Sequence, residues 1–162
     1  MRLIRRADSE ADLAAIRTLF REYWNSLGVR VCFQDLQAEL DALPGEYAPP
    51  QGELLLADED GEAAGCVALR WLADDICELK RLYVRENFRG HALGRALVQA
   101  VLQSALERGY KLVRLDSLPS MKFAQLIYES LCFYDIPAYY KSVIAGKRNM
   151  ELQLDKCELG LG

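Results

Sequence analysis

The chain has 162 residues, 51% of them hydrophobic and 27% charged, a balance that gives one globular domain and excludes a disordered or low-complexity chain. Twenty basic against 24 acidic residues leave a formal net charge of −4, which argues against a general nucleic-acid binder. No apolar run approaches the length of a membrane span, and Met1-Arg2-Leu3-Ile4-Arg5-Arg6 turns charged too early for a secretory signal, so no membrane partner is expected. Five cysteines without CxxC spacing and a single His speak against a zinc site or a disulfide framework; a cytoplasmic protein without metal is expected.

The first predicted element is a strand over Arg2–Arg6. Asp8 and Ser9 are good helix N-caps, and Leu13, Ile16, Phe20, Tyr23 and Leu27 recur at three and four, which predicts a helix over Ser9–Leu27 ended by Gly28. Leu36, Leu40 and Leu43 mark a second helix over Gln34–Leu43, stopped by Pro44-Gly45. A hairpin of strands Glu53–Ala57 and Ala64–Leu72 follows, then a strand over Ile76–Val84. The clearest amphipathic helix covers Ala92–Arg108, with Gly109 behind it. A strand over Lys111–Asp116, a helix over Met121–Leu131 and closing strands over Tyr134–Tyr140 and Asn149–Leu154 complete residues 1–155; residues 156–162 read as a C-terminal tail. Seven strands and four helices in this order predict an α/β (α+β) single domain with helices against a mixed sheet.

Arg89-Gly90-His91-Ala92-Leu93-Gly94 is the sharpest local feature. It follows a strand and opens a helix, where unpaired backbone N–H groups and the positive end of the helix dipole meet small residues that let an anion approach. Lys80 to Arg95 holds five basic residues (Lys80, Arg81, Arg85, Arg89, Arg95) and one acidic, Glu86, so the rest of the chain carries 15 basic and 23 acidic residues. Such a local positive zone in an acidic chain points to an anionic ligand. The turn has neither the Gly-Lys-Ser/Thr of a nucleoside-triphosphate loop nor a G-x-G-x-x-G pattern.

Cys77-Glu78-Leu79-Lys80-Arg81-Leu82-Tyr83-Val84 followed by Arg89-Gly90-His91-Ala92-Leu93-Gly94-Arg95 resembles the acetyl-coenzyme A signature of the GNAT N-acetyltransferases, and Ala124 to Phe133, with Tyr128-Glu129 at its centre, is similar to the family's second motif. The resemblance implies a mixed, mostly antiparallel sheet of six to seven strands flanked by four helices. It implies an acetyltransferase that uses acetyl-CoA as cosubstrate, direct attack in a ternary complex, a small-molecule primary amine as acceptor, and leaves a homodimer open. It also implies that coenzyme A is bound by Leu82, Tyr83, Val84, Arg89, Gly90, His91, Ala92, Leu93, Gly94 and Arg95. The diphosphate would rest on the amides of the turn, the pantetheine arm along Leu82–Val84, and the thioester oxygen on the N–H of Val84. Tyr128 is implied as the acid that protonates the leaving thiolate.

For the base, the resemblance implies Glu78 first, since some family members carry a catalytic glutamate at this point of the strand, and strict alternation would put Glu78, Lys80, Leu82 and Val84 on one face; Asp116 is the runner-up and a water the third. Cys77 and Cys132 lack a His or Asn partner and read as small buried residues. Tyr23-Trp24 and Tyr139-Tyr140 are candidates for the acceptor pocket. Ala92 and Cys132 stand where the family carries Gly. Ala92, inside a helical turn, is expected to need no positive φ, and the helix before Cys132 is expected to end differently. The acidic excess outside the cofactor zone weakly favours a cationic acceptor. A peptide or protein amine as acceptor, or a module that only senses acyl-coenzyme A, remain alternatives.

Overall fold

The computed structural model describes residues 1–28, 33–90, 92–141 and 144–155. Its elements in chain order are β1 (Arg2–Arg6), α1 (Glu10–Ser26), α2 (Phe33–Ala42), β2 (Glu53–Glu59), β3 (Glu62–Ala73), β4 (Ile76–Val84), α3 (Leu93–Glu107), β5 (Leu112–Ser117), α4 (Lys122–Ser130), β6 (Tyr134–Ile136) and β7 (Arg148–Gln153). The seven strands form one sheet in the order β1-β2-β3-β4-β5-β7-β6, and every pairing is antiparallel except β4 with β5. The expected α/β domain is therefore present. The closing strand β6 is shorter than Tyr134–Tyr140, because Pro137 has no N–H to continue a ladder. The residues assigned to the tail, 156–162, and His91 lie outside the described residues.

Helices cover both faces of the sheet, so adjacent residues of the central strands serve different layers. Leu54 and Leu56 of β2, with Cys66 and Ala68 of β3, pack with Ile16, Leu19 and Phe20 of α1 and Leu40 of α2. Their neighbours Leu55, Ala57, Val67 and Leu69 pack with Leu97, Val98, Val101 and Leu102 of α3. This two-sided burial explains why β2 and β3 read as unbroken apolar runs. Among the described residues, no helix is long and apolar enough to cross a membrane.

The start of α1 is fixed by a capping box. The Ser9 hydroxyl accepts from the Asp12 N–H at 3.1 Å, and the Asp12 carboxylate accepts from the Ser9 N–H at 3.4 Å. The Arg5 guanidinium, 2.6 Å from the same carboxylate, ties β1 to the helix and holds Asp12 below the ordinary carboxylate range, against the opposing effect of burial. Because Asp12 titrates lower in the folded than in the unfolded chain, its stabilisation is full above the unfolded value of about 4 and is lost as pH falls through the folded one. Asp12→Asn should lower stability by about 1 kcal/mol at neutral pH, Arg5 being partly solvent-screened. In thermal melts the gap to the native chain should narrow as the pH is taken below about 4; a gap independent of pH would refute this account.

Candidate active site

The site is built where the sheet splits. β4 and β5 are paired only through Ile76–Glu78 and Leu112–Arg114; beyond that, Leu115–Ser117 of β5 pairs with β7 alone, and the far half of β4 presents an open edge. A bulge in β4 accompanies the split. Ala68 faces Lys80 and Cys66 faces Tyr83, so Arg81 and Leu82 together oppose Val67, and Arg81 adopts φ +60°. Three contacts hold this unfavourable backbone. The Arg81 fork pairs with Glu39 of α2 at 2.8 and 3.0 Å, its guanidinium stacks 4.6 Å from the Trp24 ring centre, and its carbonyl accepts from the Cys66 thiol at 3.4 Å.

The bulge overturns the expected face. Cys77 and Leu79 belong to the α3 layer, and beyond Arg81 it is Leu82 and Val84 that do. The extra residue reverses the alternation, so Glu78 and Lys80 lie on the opposite side of the sheet from Leu82 and Val84. The Arg85 N–H donates across to Ala64 at 2.9 Å, so the N–H of Val84, one residue back, faces the open edge.

From this edge a cleft of about 690 Å³ runs between the splayed strands, lined by Leu79–Val84, the turn and first residues of α3, α4, and Tyr23 and Trp24 of α1. At one end, α3 begins at Leu93 with no side-chain cap from Ala92 and no acidic residue in its first turn, so among the described residues no side chain fills its first amides. Arg89 donates to the Val84 carbonyl at 2.9 Å, and Arg95 donates to the Ser130 hydroxyl. Gly90 has φ +85° with open space around it, whereas a Cβ on Gly94 would meet Ile127 at 3.1 Å; Gly94 lets α4 approach α3.

The two residues standing in place of glycine need correction. Ala92 does take a positive φ, +60°, because the chain must reverse before α3. Cys132 has φ +75° and ends α4 in the ordinary way: its N–H donates to Glu129 and that of Phe133 to Tyr128, the double closure of a Schellman end. Cys132 is also exposed, not buried, while Cys66 and Cys77 are buried. Since a left-handed conformation costs a residue with a Cβ about 1–2 kcal/mol, Cys132→Gly should raise stability by about 1 kcal/mol, or roughly 2–4 °C. An unchanged or lower melting temperature would show that the native end carries no such strain.

Tyr128 lines the cleft from α4, its ring 5.5 Å from Phe133, and its hydroxyl has no hydrogen-bond partner among the described residues. Burial pushes this phenol up, so it keeps its proton. Across the cleft stands a polar cluster. Glu78 is 1% exposed and does not line the cleft; it accepts from Arg70 at 2.7 Å and from the Tyr139 hydroxyl at 2.6 Å. Asp116 does line it, and its Oδ2 accepts from Lys147 at 2.7 Å and from the Tyr140 hydroxyl. Burial pushes the Asp116 carboxyl up, but Lys80, Lys147 and Tyr140 together bring it below its ordinary value.

Of the expected residues, Leu82, Tyr83, Val84, Arg89, Gly90, Ala92, Leu93, Gly94, Arg95 and Tyr128 line one cleft, as do Tyr23 and Trp24. Tyr139 and Tyr140 touch the two carboxylates. Lys80 and Lys147 were not singled out as site residues, yet both line the cleft. Lys80 was legible only as one of a basic group; Lys147 carries no signal in a loop without a pattern.

The family model described as "Acetyltransferase (GNAT) family" matches residues 13–132. An uncharacterized N-acetyltransferase of Schizosaccharomyces pombe is 37% identical over 147 residues, covering 90% of each chain. A GNAT-family acetyltransferase from Staphylococcus aureus Mu50 superposes with a TM-score of 0.81 at 18% identity, covering 95% of this chain and 99% of the other. The PaiA N-acetyltransferase of Thermoplasma acidophilum, in complex with coenzyme A, gives 0.73 at 19% identity over 94% and 99%.

Proposed function

Because the chain belongs to the acetyltransferase (GNAT) family, we propose that it moves the acetyl group of acetyl-coenzyme A onto the primary amine of a small molecule, by direct attack in a ternary complex. One observation carries this reading: the uncapped start of α3, the open edge of β4 and the Tyr128 hydroxyl, without a partner among the described residues, all border a single cleft.

The amides of Leu93, Gly94 and Arg95, with Gly90 and Ala92 shaping the turn and the Arg89 and Arg95 side chains nearby, suit a pyrophosphate. The His91 assignment stands on the sequence resemblance alone. Leu82–Val84 offers an unpaired strand edge for the pantetheine amides, and the outward N–H of Val84 suits an oxyanion. Acetyl-coenzyme A, when bound, supplies the thioester. Attack forms the C–N bond and collapse breaks C–S, so one proton must leave nitrogen and one must reach sulfur. Tyr128 donates to sulfur. A phenol near pKa ~10 is a weaker acid than a thiol near ~8.5, a gap worth about 2 kcal/mol in water, and burial widens it. Tyr128 therefore acts while charge builds on sulfur, and draws its proton back from solvent afterwards.

For the proton on nitrogen, Asp116 is the better placed of the two carboxylates, since Glu78 is enclosed behind it by Arg70 and Tyr139. A carboxylate held below its usual range is a weak base. It suffices for an acceptor that attacks as the free amine, its first proton already lost to solvent, because nitrogen becomes far more acidic once it is bonded to the carbonyl carbon. Glu78 keeps a positioning role, next to Lys80 at 3.8 Å.

Release of free thiol from acetyl-coenzyme A in the presence of a panel of amines, peptides included, tests the activity. Tyr128→Phe should lower kcat by about 10²-fold or more while stabilisation of the fold by acetyl-coenzyme A is unchanged. Undiminished turnover would remove Tyr128 as the acid. Asp116→Asn should lower kcat at least about tenfold and flatten its acid limb. Glu78→Gln, which removes one of the two carboxylates that pair with Arg70 and leaves Glu46 as the other, should act first on melting temperature; a Glu78 variant that melts normally but loses the acid limb would return the base role to Glu78.

A further inference from the structure

The acceptor side of the cleft holds two opposite charges whose hydrogen-bonding capacity is not filled among the described residues. Lys80 Nζ makes no hydrogen bond among the described residues, although its side chain is only 17% exposed; its nearest carboxylate oxygens, on Glu78 and Asp116, lie 3.8 and 3.9 Å away, too far for a normal bond. An ammonium has three donors to satisfy, and one so covered from water needs an anionic or strongly polar partner. Asp116 is the second open group. Its Oδ2 is taken by Lys147 and Tyr140, but its Oδ1, the atom 3.9 Å from Lys80, accepts no hydrogen bond among the described residues. Both residues line the cleft. Lys147 is not a second open cation, because its ammonium is already spent on Asp116 at 2.7 Å and Tyr140 at 3.0 Å.

A cation held only by long ion pairs, beside a carboxylate oxygen free to accept a hydrogen bond, is complementary to a molecule that carries an amine next to a carboxylate. In an α-amino acid the nitrogen and the carboxyl carbon are both bonded to one carbon and lie about 2.5 Å apart. Laid antiparallel on the pair, the amine meets Asp116 Oδ1 while the carboxylate meets Lys80 Nζ. The amine thereby sits on the group that takes its proton. With Arg89 and Arg95 at the cofactor end and Arg81 paired with Glu39, the acceptor end of the lining carries Lys80 and Lys147 against Asp116, so the acidic excess that weakly favoured a cationic acceptor is not at the site. A polyamine would place a second ammonium beside Lys80, and a peptide N-terminus would offer it only an uncharged carbonyl.

We infer that the acceptor is an amino carboxylate, a free amino acid or close analogue, with its carboxylate bound by Lys80 and its amine by Asp116. The inference rests on the acetyltransferase reading above and names the acceptor class for the same site.

The test compares thiol release for glycine, L-alanine and L-glutamate with that for glycinamide, L-alaninamide and the α-amide of glutamate, alongside spermidine and a short peptide. Amidation lowers the pKa of the neighbouring amine, so intrinsic reactivity favours the amides; a preference for the acids reads the site. For at least one pair, kcat/KM should be about tenfold or more higher for the acid, the worth of a charge-assisted contact. In Lys80→Gln the ratio should fall to within about threefold, through a higher KM for the acid, with stabilisation by acetyl-coenzyme A intact. Amides, spermidine or peptide matching the acids in the native enzyme would overturn the inference and leave the transferase reading standing, as would an acid-to-amide ratio untouched in Lys80→Gln. No thiol release from any amine would overturn both.

Discussion

The bulge at Arg81 is the constraint on which the site depends. One extra residue in β4 turns the strand's face over and accompanies its parting from β5 after only three paired positions. A non-glycine residue at φ +60° in a strand is unfavourable, and it persists only where its surroundings hold it. Glu39, Trp24 and Cys66 supply that hold from α2, α1 and β3. Three elements distant in sequence thus converge on one backbone irregularity. The tyrosine on α4, the amide of Val84 and the uncapped start of α3 come to face a common space as a result.

The split also sorts the chemistry by face. Leu82, Val84 and Tyr128 belong to the layer of α3 and α4, while Glu78, Lys80, Arg70 and Asp116 stand on the other side of the sheet, toward α1 and α2. A thioester approaching along the β4 edge and an amine approaching from the polar side can therefore meet in the gap without sharing an entrance. The price of opening a sheet in the middle is a row of unpaired backbone groups, and the same groups are what an extended arm can bind.

Charge at the site differs from charge on the chain. The sequence carries four more acidic than basic residues, but most carboxylates are spent elsewhere: Asp12 on Arg5, Glu53 on Arg6 and Arg108, Glu22 on Arg85, Glu39 on Arg81. What faces the cleft is one carboxylate among five cations. Net charge says little about a pocket a few ångströms across, where short-range pairing decides which groups remain open.

The sequence by itself determined the order and bounds of most elements and the helix start at Ala92–Leu93, and two short motifs singled out Tyr128 and Val84, which line one cleft. These follow from apolar periodicity, caps and short motifs, all of them local along the chain. Only the tertiary structure decided that Glu78 lies behind the cleft, that Ala92 and Cys132 adopt the backbone a glycine would, and that Lys80 and Asp116 face each other as a long ion pair. The physical reason is that a bulge depends on the register between two strands, and an ion pair on the distance between strands brought together by folding. Periodicity assigns a face only while the alternation is unbroken, and nothing local to Lys80-Arg81-Leu82 says that it breaks there.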